Sequence, residues 1–121
     1  MPLPEAVARG VAEFNRRAFF EAHETLEDVW AEETGRRRLF YQGLIQVAIG
    51  CCHLQRGNLA GALNLLAAGQ LKLEGFRPAF EGIDVAGLLD QTARCEARAR
   101  ELGPGRVEEM DPSAFPTLRG L

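Results

Sequence analysis

One segment of this 121-residue chain, Leu39–Leu54, is apolar almost all round when it is drawn as an α-helix. A helix that is hydrophobic on every side has neighbours on every side in a folded protein. The chain is long enough to bury a core, and 46% of its residues are hydrophobic, with no low-complexity tract. We therefore predict an all-α fold, a single-domain bundle of about five helices around this central helix.

The other helix patterns and the residues between them set the limits of the bundle. A first apolar stripe at helical spacing ends at Asn15. The later boundaries are a stop near Gly35, a turn at residues 55–58, a helix from Leu59 to Leu73, a loop over residues 75–82 and a last helix at Val85–Leu102. We place the helical domain at residues 1–102 and an irregular tail at residues 103–121. Phe115 and Leu118 are expected to dock the tail against the domain. No alternation of apolar and polar residues predicts a strand.

The second helix pattern carries a histidine and a glutamate where a core-facing surface is normally apolar. It reads FFEAHETLEDVW over residues 19–30, with His23 inside the apolar arc and Glu27 at its edge. The two residues are four apart, so their side chains can touch. Charged side chains are almost never fully buried unless they are paired. Glu27 therefore needs a partner.

The central helix interrupts its apolar surface with a polar stripe that consists of Gln42, Gln46 and His53. Gly43 and Gly50 flank the stripe, and each costs roughly 1 kcal/mol relative to Ala in a helix. A close helix–helix approach is the expected compensation, so we predict that the stripe faces the second helix across that contact. The candidate polar cluster consists of His23, Glu24, Glu27, Gln42, Gln46 and His53.

Three interpretations of this cluster stay open from the sequence. In the first, it is a buried polar network that fixes helix register, because such networks are stable when every member is paired; the chain is then a non-enzymatic interaction or structural protein. In the second, His23, Glu27 and His53 hold a divalent metal ion, the candidate cofactor, in a metal-dependent enzyme such as a hydrolase. Glu24 is the proton carrier in that case. In the third, the cluster is a small-molecule or acid/base pocket.

A run of three arginines opens the central helix. Cations at a helix N-terminus oppose the macrodipole, so their placement does not serve local helix stability. One interpretation pairs them with the second helix, which is rich in Glu and Asp and contains no Lys or Arg. The other interpretation is an anion-binding patch. That candidate patch consists of Arg16, Arg17, Arg36, Arg37 and Arg38.

Charge and cysteine content restrict the class of partner. A net charge of −3 argues against nucleic acid. The absence of a long apolar run and of a signal pattern argues against a membrane and predicts a cytoplasmic protein. The three cysteines have no C-x-x-C spacing, which favours buried free thiols. A homo-oligomer or another protein remains as the expected partner.

Several separated blocks of the sequence also resemble one protein family. They read F-N-x-x-x-F-F-E-A-H-E-x-L-E-x-x-W, then Y-Q-G-L-I-Q-x-A, then H-x-x-x-G-N-x-x-G-A, and they extend from Phe14 to about Leu73. This pattern is similar to that of the DUF309 family, a group of small, all-helical, bacterial proteins of uncharacterised function. The resemblance implies a helical bundle and supplies no activity.

Overall fold

The computed structural model describes residues 3–120, and within that range it confirms the all-α bundle of five helices. The helices are α1 (Glu5–Asn15), α2 (Phe19–Ala31), α3 (Gly35–Gln55), α4 (Leu59–Glu74) and α5 (Val85–Leu102). The last of them has the limits that the sequence predicts, whereas α2 ends four residues before Gly35. The outer limits of the two predicted segments, residues 1 and 121, lie outside the described residues.

Helix α3 is the centre of the bundle, as the sequence predicts. It packs against α2 on one side and α4 on the other, and both neighbours run antiparallel to it because short turns join them. Helix α1 packs on the far side of α2, and α5 packs against α4. This arrangement buries eleven residues of α3.

Glycines allow α3 and α4 to approach at backbone distance. A Cβ atom added to Gly50 would lie 2.8 Å from the Leu66 side chain, and one added to Gly43 would lie 2.9 Å from Leu73. A Cβ added to Gly69 of α4 would lie 2.9 Å from the carbonyl oxygen of Gly43. The predicted close approach exists, but the partner helix is wrong. The glycines face α4, and the polar stripe does not meet α2 across them.

A small hairpin, absent from the prediction, follows α4. Strand β1 (Ala79–Phe80) pairs in antiparallel fashion with β2 (Ile83–Asp84). Glu81 and Gly82 connect them with positive φ angles of 50° and 77°, the pattern of a type I′ turn. Strands of two residues are too short to show an alternating pattern, which is why the sequence did not indicate them.

The tail after residue 102 packs into the same core as the helices. Val107, Met110, Phe115 and Leu118 are all buried, so Phe115 and Leu118 dock the tail as expected. Its backbone is irregular apart from two 3-10 helices, Val107–Glu109 and Pro112–Ala114. Residue 103 therefore marks a change in backbone regularity and not an edge of the core. No helix within residues 3–120 is both long and apolar enough to cross a membrane.

Candidate functional site

One face of α3 stays only partly covered, and it forms the floor of a groove. The neighbouring helices α2 and α4 flank this face, which we call the α3 groove. Its floor consists of Gln42, Ile45, Gln46, Ile49, Cys52, His53 and Arg56, which recur at the three- and four-residue spacing of one helix face. Two cavities lie along the groove and share Ile49.

The first cavity, the glutamine pocket, has a volume of about 330 Å³. It is lined by Glu27, Trp30, Gln42, Ile45, Gln46, Ile49 and Leu65. Within residues 3–120, the indole Nε1 of Trp30 and the amide Oε1 of Gln46 are enclosed without a hydrogen-bond partner. A buried donor or acceptor left unpaired costs about 1–3 kcal/mol. Both atoms have less than 1 Å² of accessible surface, so they reach a ligand in the pocket only after their side chains turn.

Trp30 is held in place by an arginine. The Arg38 guanidinium lies 3.7 Å from the centroid of the indole ring, and its Nη1 donates to the carbonyl oxygens of Trp30 and Glu33 at 3.0 and 3.3 Å. The cation over the ring and the bonds to carbonyls at the end of α2 are both favourable. They fix the wall of the glutamine pocket.

The second cavity, the histidine pocket, has a volume of about 160 Å³. It is lined by Phe20, His23, Ile49, Cys52, His53 and Arg56. The ring of His23 packs edge-to-face on Phe20, with centroids 4.9 Å apart, and the Arg56 guanidinium lies 5.4 Å from the Phe20 centroid. Phe20 therefore links one imidazole and one cation at the rim of the pocket.

Hydrogen bonds assign the protons of the two imidazoles differently. His23 Nδ1 lies 2.5 Å from the carbonyl oxygen of Phe20, which only accepts, so this nitrogen is the donor. His53 Nδ1 lies 3.3 Å from the amide Nδ2 of Asn58. An amide nitrogen only donates, so the neutral His53 ring carries its proton on Nε2. The second nitrogen of His23, Nε2, lies 3.5 Å from Glu27 Oε1.

The structure gathers the predicted polar cluster along the groove, but not as a closed, buried network. His23, Gln42, Gln46 and His53 are half-buried, while Glu24 and the side chain of Glu27 are exposed, the latter by 50%. The contact between His23 and Glu27 is the one direct polar contact that joins members of the cluster within residues 3–120. The expectation of a fully paired network was wrong, because the face of α3 that carries these residues opens to solvent.

The three proposed metal ligands do not form a metal site. In the part of the chain that the structure describes, no group of three or more His, Cys, Asp or Glu side chains could hold a metal ion. His23 and His53 share the histidine pocket, but Glu27 lines the neighbouring one. The geometry does not support the metal-dependent interpretation, with or without Glu24 as a proton carrier.

The five arginines of the predicted anion patch point to different places. Arg17 donates to the carbonyl oxygens of Asn15, Pro112, Phe115 and Pro116 and so holds the tail. Arg37 pairs with Glu81 of the hairpin at 2.9 Å, and Arg36 lies over Phe76 at 4.7 Å. Arg16 is exposed. Helix α2, about 20 Å long, separates the first two arginines from the other three, so they do not form one patch.

The cysteines are free and buried, as the sequence suggested. Burial raises the pKa of the Cys51 thiol well above its usual range, and a hydrogen bond to Cys95 raises this pKa further. Cys52, in contrast, borders the histidine pocket and is 7% exposed. Cys52 therefore differs from the other two thiols, and its position three residues after Ile49 places it on the groove face.

Trp30, Arg56 and Leu65 are further groove residues that the sequence analysis did not select. The helical spacing of Arg56 from His53 and Ile49 could have placed it on the same face. No sequence signal marks Leu65, because it reaches the groove from a different helix. The unpaired state of the Trp30 indole is likewise visible only in three dimensions.

The part of the chain that forms this groove is similar to a protein family of unknown function. Residues 7–65 match the family model DUF309, a domain of unknown function. The chain is 36% identical to the uncharacterized protein YpuF of Bacillus subtilis (strain 168) over 91 residues, which cover 72% of this chain and 52% of YpuF. The chain thus spans about half the length of that curated relative. Through residues 7–65, which include α2, α3 and both pockets, this chain is a member of the DUF309 family.

Proposed function

We propose that this chain is a protein-interaction domain whose α3 groove receives an amphipathic helix of a partner with a basic edge. The observation that carries the proposal is the uncovered face of α3. In a bundle built around one apolar helix, a face left open between two neighbours is the place where a further helix fits.

The dimensions of the groove suit a helix. Between Leu39 and Arg56 the floor is about 25 Å long, at 1.5 Å per residue. Leu39 and Phe20 are each 43% exposed and lie near opposite ends of this length, because α2 runs antiparallel to α3. Ile45 and Ile49 lie between them on the floor. A helix with apolar residues at i, i+3, i+4 and i+7 would contact these positions in turn.

Charge argues for a basic edge on the partner. Helix α2, one flank of the groove, exposes Glu21, Glu24, Glu27 and Asp28. Glu27 lines the groove and Glu24 is near its edge, whereas Glu21 and Asp28 point away from it. Within residues 3–120, none of them lies within 4.0 Å of a Lys or Arg nitrogen. An uncompensated acidic flank attracts a partner with Lys or Arg along the matching edge and disfavours an acidic one.

Unpaired polar groups argue for contact at the middle of the groove. The Trp30 indole N–H and the Gln46 oxygen lack protein partners in the described chain. When these two enclosed side chains turn toward the groove, polar side chains of a docked helix would supply an acceptor and a donor to them. Pairing these groups adds specificity, because a partner that cannot pair them leaves a buried donor and a buried acceptor without hydrogen bonds.

A designed peptide tests the proposal without knowledge of the natural partner. The probe is a helix of about 18 residues with a leucine stripe and a Lys/Arg edge, and its control keeps the stripe but carries Glu on the edge. We expect saturable binding of the basic peptide in the micromolar range, with amide and indole shifts at Trp30 and Gln46 in NMR spectra. The acidic control should bind more weakly by a factor of roughly ten or more.

Two matched substitutions locate the binding surface. Ile49→Arg places a charge on the groove floor and should abolish binding, whereas Leu71→Arg changes a side chain that is 79% exposed on the far side of α4 and should leave it intact. Equal loss in both variants, or shifts that map away from α3, would exclude the groove as the docking site.

A further inference from the structure

We propose that the histidine pocket binds the carboxylate group of a short-chain organic acid, with the Arg56 guanidinium and the His53 Nε2–H as the anion-binding groups. This pocket is the Arg56 end of the α3 groove, but binding of a carboxylate there does not depend on helix docking.

Arg56 is a free cation at the pocket rim. It follows the last residue of α3, and its guanidinium is held near the Phe20 ring at 5.4 Å. Among the described residues, no carboxylate oxygen lies within 4.0 Å of it, and its side chain forms no hydrogen bond. An arginine fork that is exposed yet positioned by an aromatic ring is suited to bind a planar carboxylate at two oxygens.

His53 supplies a directed donor beside that cation. The backbone N–H of Gly61 donates to Asn58 Oδ1 at 3.0 Å, which fixes the orientation of the amide group. Asn58 therefore presents its Nδ2 to His53 Nδ1, and the ring proton is left on Nε2. A neutral imidazole held in this tautomer can donate one hydrogen bond to an anion.

The positive charge at this end of the bundle comes from Arg56 and not from the helix dipoles. Helices α2 and α4 begin here, at Phe19 and Leu59, while α1 and α3 end here, at Asn15 and Gln55. The partial charges of two N-termini and two C-termini offset one another, so the Arg56 guanidinium is the full positive charge available to an anion.

The rest of the pocket determines the size and polarity of the ligand body. Phe20, Ile49 and the Cys52 thiol provide mostly apolar walls. A volume of about 160 Å³ equals roughly five water molecules at about 30 Å³ each. The complementary ligand is one carboxylate on a short alkyl body, and a larger drug-like molecule would not fit.

Butyrate and its neutral analogue butyramide form a matched pair of probes. We expect butyrate to shift the imidazole nitrogen and proton signals of His53 in a saturable manner at millimolar concentration, whereas butyramide should cause no comparable shift. Equal responses to the two probes, or a response to butyrate that does not saturate, would overturn the proposal.

Substitution of the arginine separates charge from shape. Arg56→Gln should weaken butyrate binding roughly tenfold, since a charge-assisted pair is lost, and Arg56→Lys should weaken it less. Arg16→Gln, at another exposed arginine, is the control and should bind as the parent does. Circular dichroism verifies that each variant is folded. Unchanged butyrate affinity in Arg56→Gln excludes the assigned cation.

Cys52 offers a second readout inside the same pocket. Iodoacetate and iodoacetamide both alkylate a thiolate: the new S–C bond displaces iodide, and the thiol proton passes to the buffer. If the pocket prefers carboxylates, the rate ratio of iodoacetate to iodoacetamide at Cys52 should be several-fold higher in the folded protein than in urea. Arg56→Gln should remove that preference. The same ratio in folded and unfolded protein contradicts the proposal.

Discussion

The two sides of helix α3 differ in how closely they are packed. Toward α4 the helix is closed at backbone distance, where Gly43 and Gly50 accept the side chains of Leu73 and Leu66. Toward the groove it carries half-buried polar side chains, two cavities and an unpaired amide oxygen on Gln46. The closed side of α3 is packed against other residues of the chain, whereas the open side leaves part of the helix surface uncovered.

This difference has a consequence for stability. On a closed surface, close packing means that most substitutions destabilise the fold. On an open surface that is shaped for a ligand, some substitutions stabilise the isolated protein, because binding sites retain features that are unfavourable in the free state. Variants on the two sides should therefore change the free energy of unfolding in opposite directions.

The largest effect is expected from Gly69→Ala at the closed side. The new Cβ would lie 2.8 Å from Val47 Cγ2 and 2.9 Å from the Gly43 carbonyl oxygen. A backbone oxygen cannot move aside unless the helices separate, so overpacking of about 1–3 kcal/mol should exceed the gain of up to about 1 kcal/mol in helix propensity. Urea unfolding measures the difference.

The matched control for this variant is Gly75→Ala. Its nearest neighbour would be the Lys72 carbonyl oxygen at 3.9 Å, which is ordinary contact. We expect no loss of stability there. If the two alanine variants unfold at the same urea concentration, the backbones of α3 and α4 do not approach each other closely at Gly69.

The next effect concerns the tail, which closes another side of α3 near Leu54. Arg17→Met removes all the hydrogen bonds from this guanidinium to carbonyl oxygens of the tail. We expect a loss of about 2 kcal/mol and faster proteolytic cleavage after residue 103. Arg16→Met, at an exposed neighbour, should stay within about 0.5 kcal/mol of the parent. A tail that remains protected in Arg17→Met would show that apolar packing alone holds it.

Much of the closed side could be predicted from the sequence, because it rests on periodicity. The apolar period of Leu39–Leu54 identified the central helix. The predicted limits of α5 are also confirmed, because Asp84 accepts a hydrogen bond from the Gly87 N–H as its N-cap and Gly103 follows its last residue. Gly43 and Gly50 indicated a close helix–helix approach, but the sequence does not say which neighbouring helix makes it. Both α2 and α4 run antiparallel beside α3, and the choice depends on the turn geometry.

The open side was less predictable for two physical reasons. Arg38, which lies over Trp30 in the wall of the glutamine pocket, donates to the backbone carbonyls of Trp30 and Glu33, and a carbonyl leaves no mark in the sequence. Which face of α3 stays uncovered depends on where α1, α5 and the tail pack, and that is a property of the whole fold. Helical spacing alone did bring Gln42, Gln46 and His53 onto one face.

The closed side of α3 should also make the stability of the protein depend on pH, through the buried Cys51 thiol. Burial, with the Cys95 hydrogen bond, raises the pKa of Cys51 in the folded state. Below about pH 8.5, the pKa of an unfolded cysteine, both states keep the thiol proton and stability is unaffected. Above it only the unfolded state releases the proton, so the free energy of unfolding should fall by up to about 1.4 kcal/mol per pH unit.

Urea unfolding of the parent and of Cys51→Ala at pH 7.5 and 9.5 isolates this contribution. The parent should lose more stability than the variant over this interval, since the variant lacks one buried thiol. Equal losses would mean that Cys51 reaches solvent and ionises in the folded protein, which a closed side of α3 does not allow.

The smallest effect has the opposite sign and tests the open side directly. Gln46→Met keeps the length of the side chain and removes the enclosed amide oxygen that has no partner in the described chain. Relief of this desolvated acceptor should raise the free energy of unfolding by about 1 kcal/mol. Gln42→Met, which lines the same pocket without an enclosed unpaired atom, should change it little. A gain in Gln46→Met together with weaker binding of the basic peptide is expected if the open side is kept for a partner. A loss of stability would mean that the oxygen is already satisfied in solution, and the contrast between the two sides of α3 would then rest on packing alone.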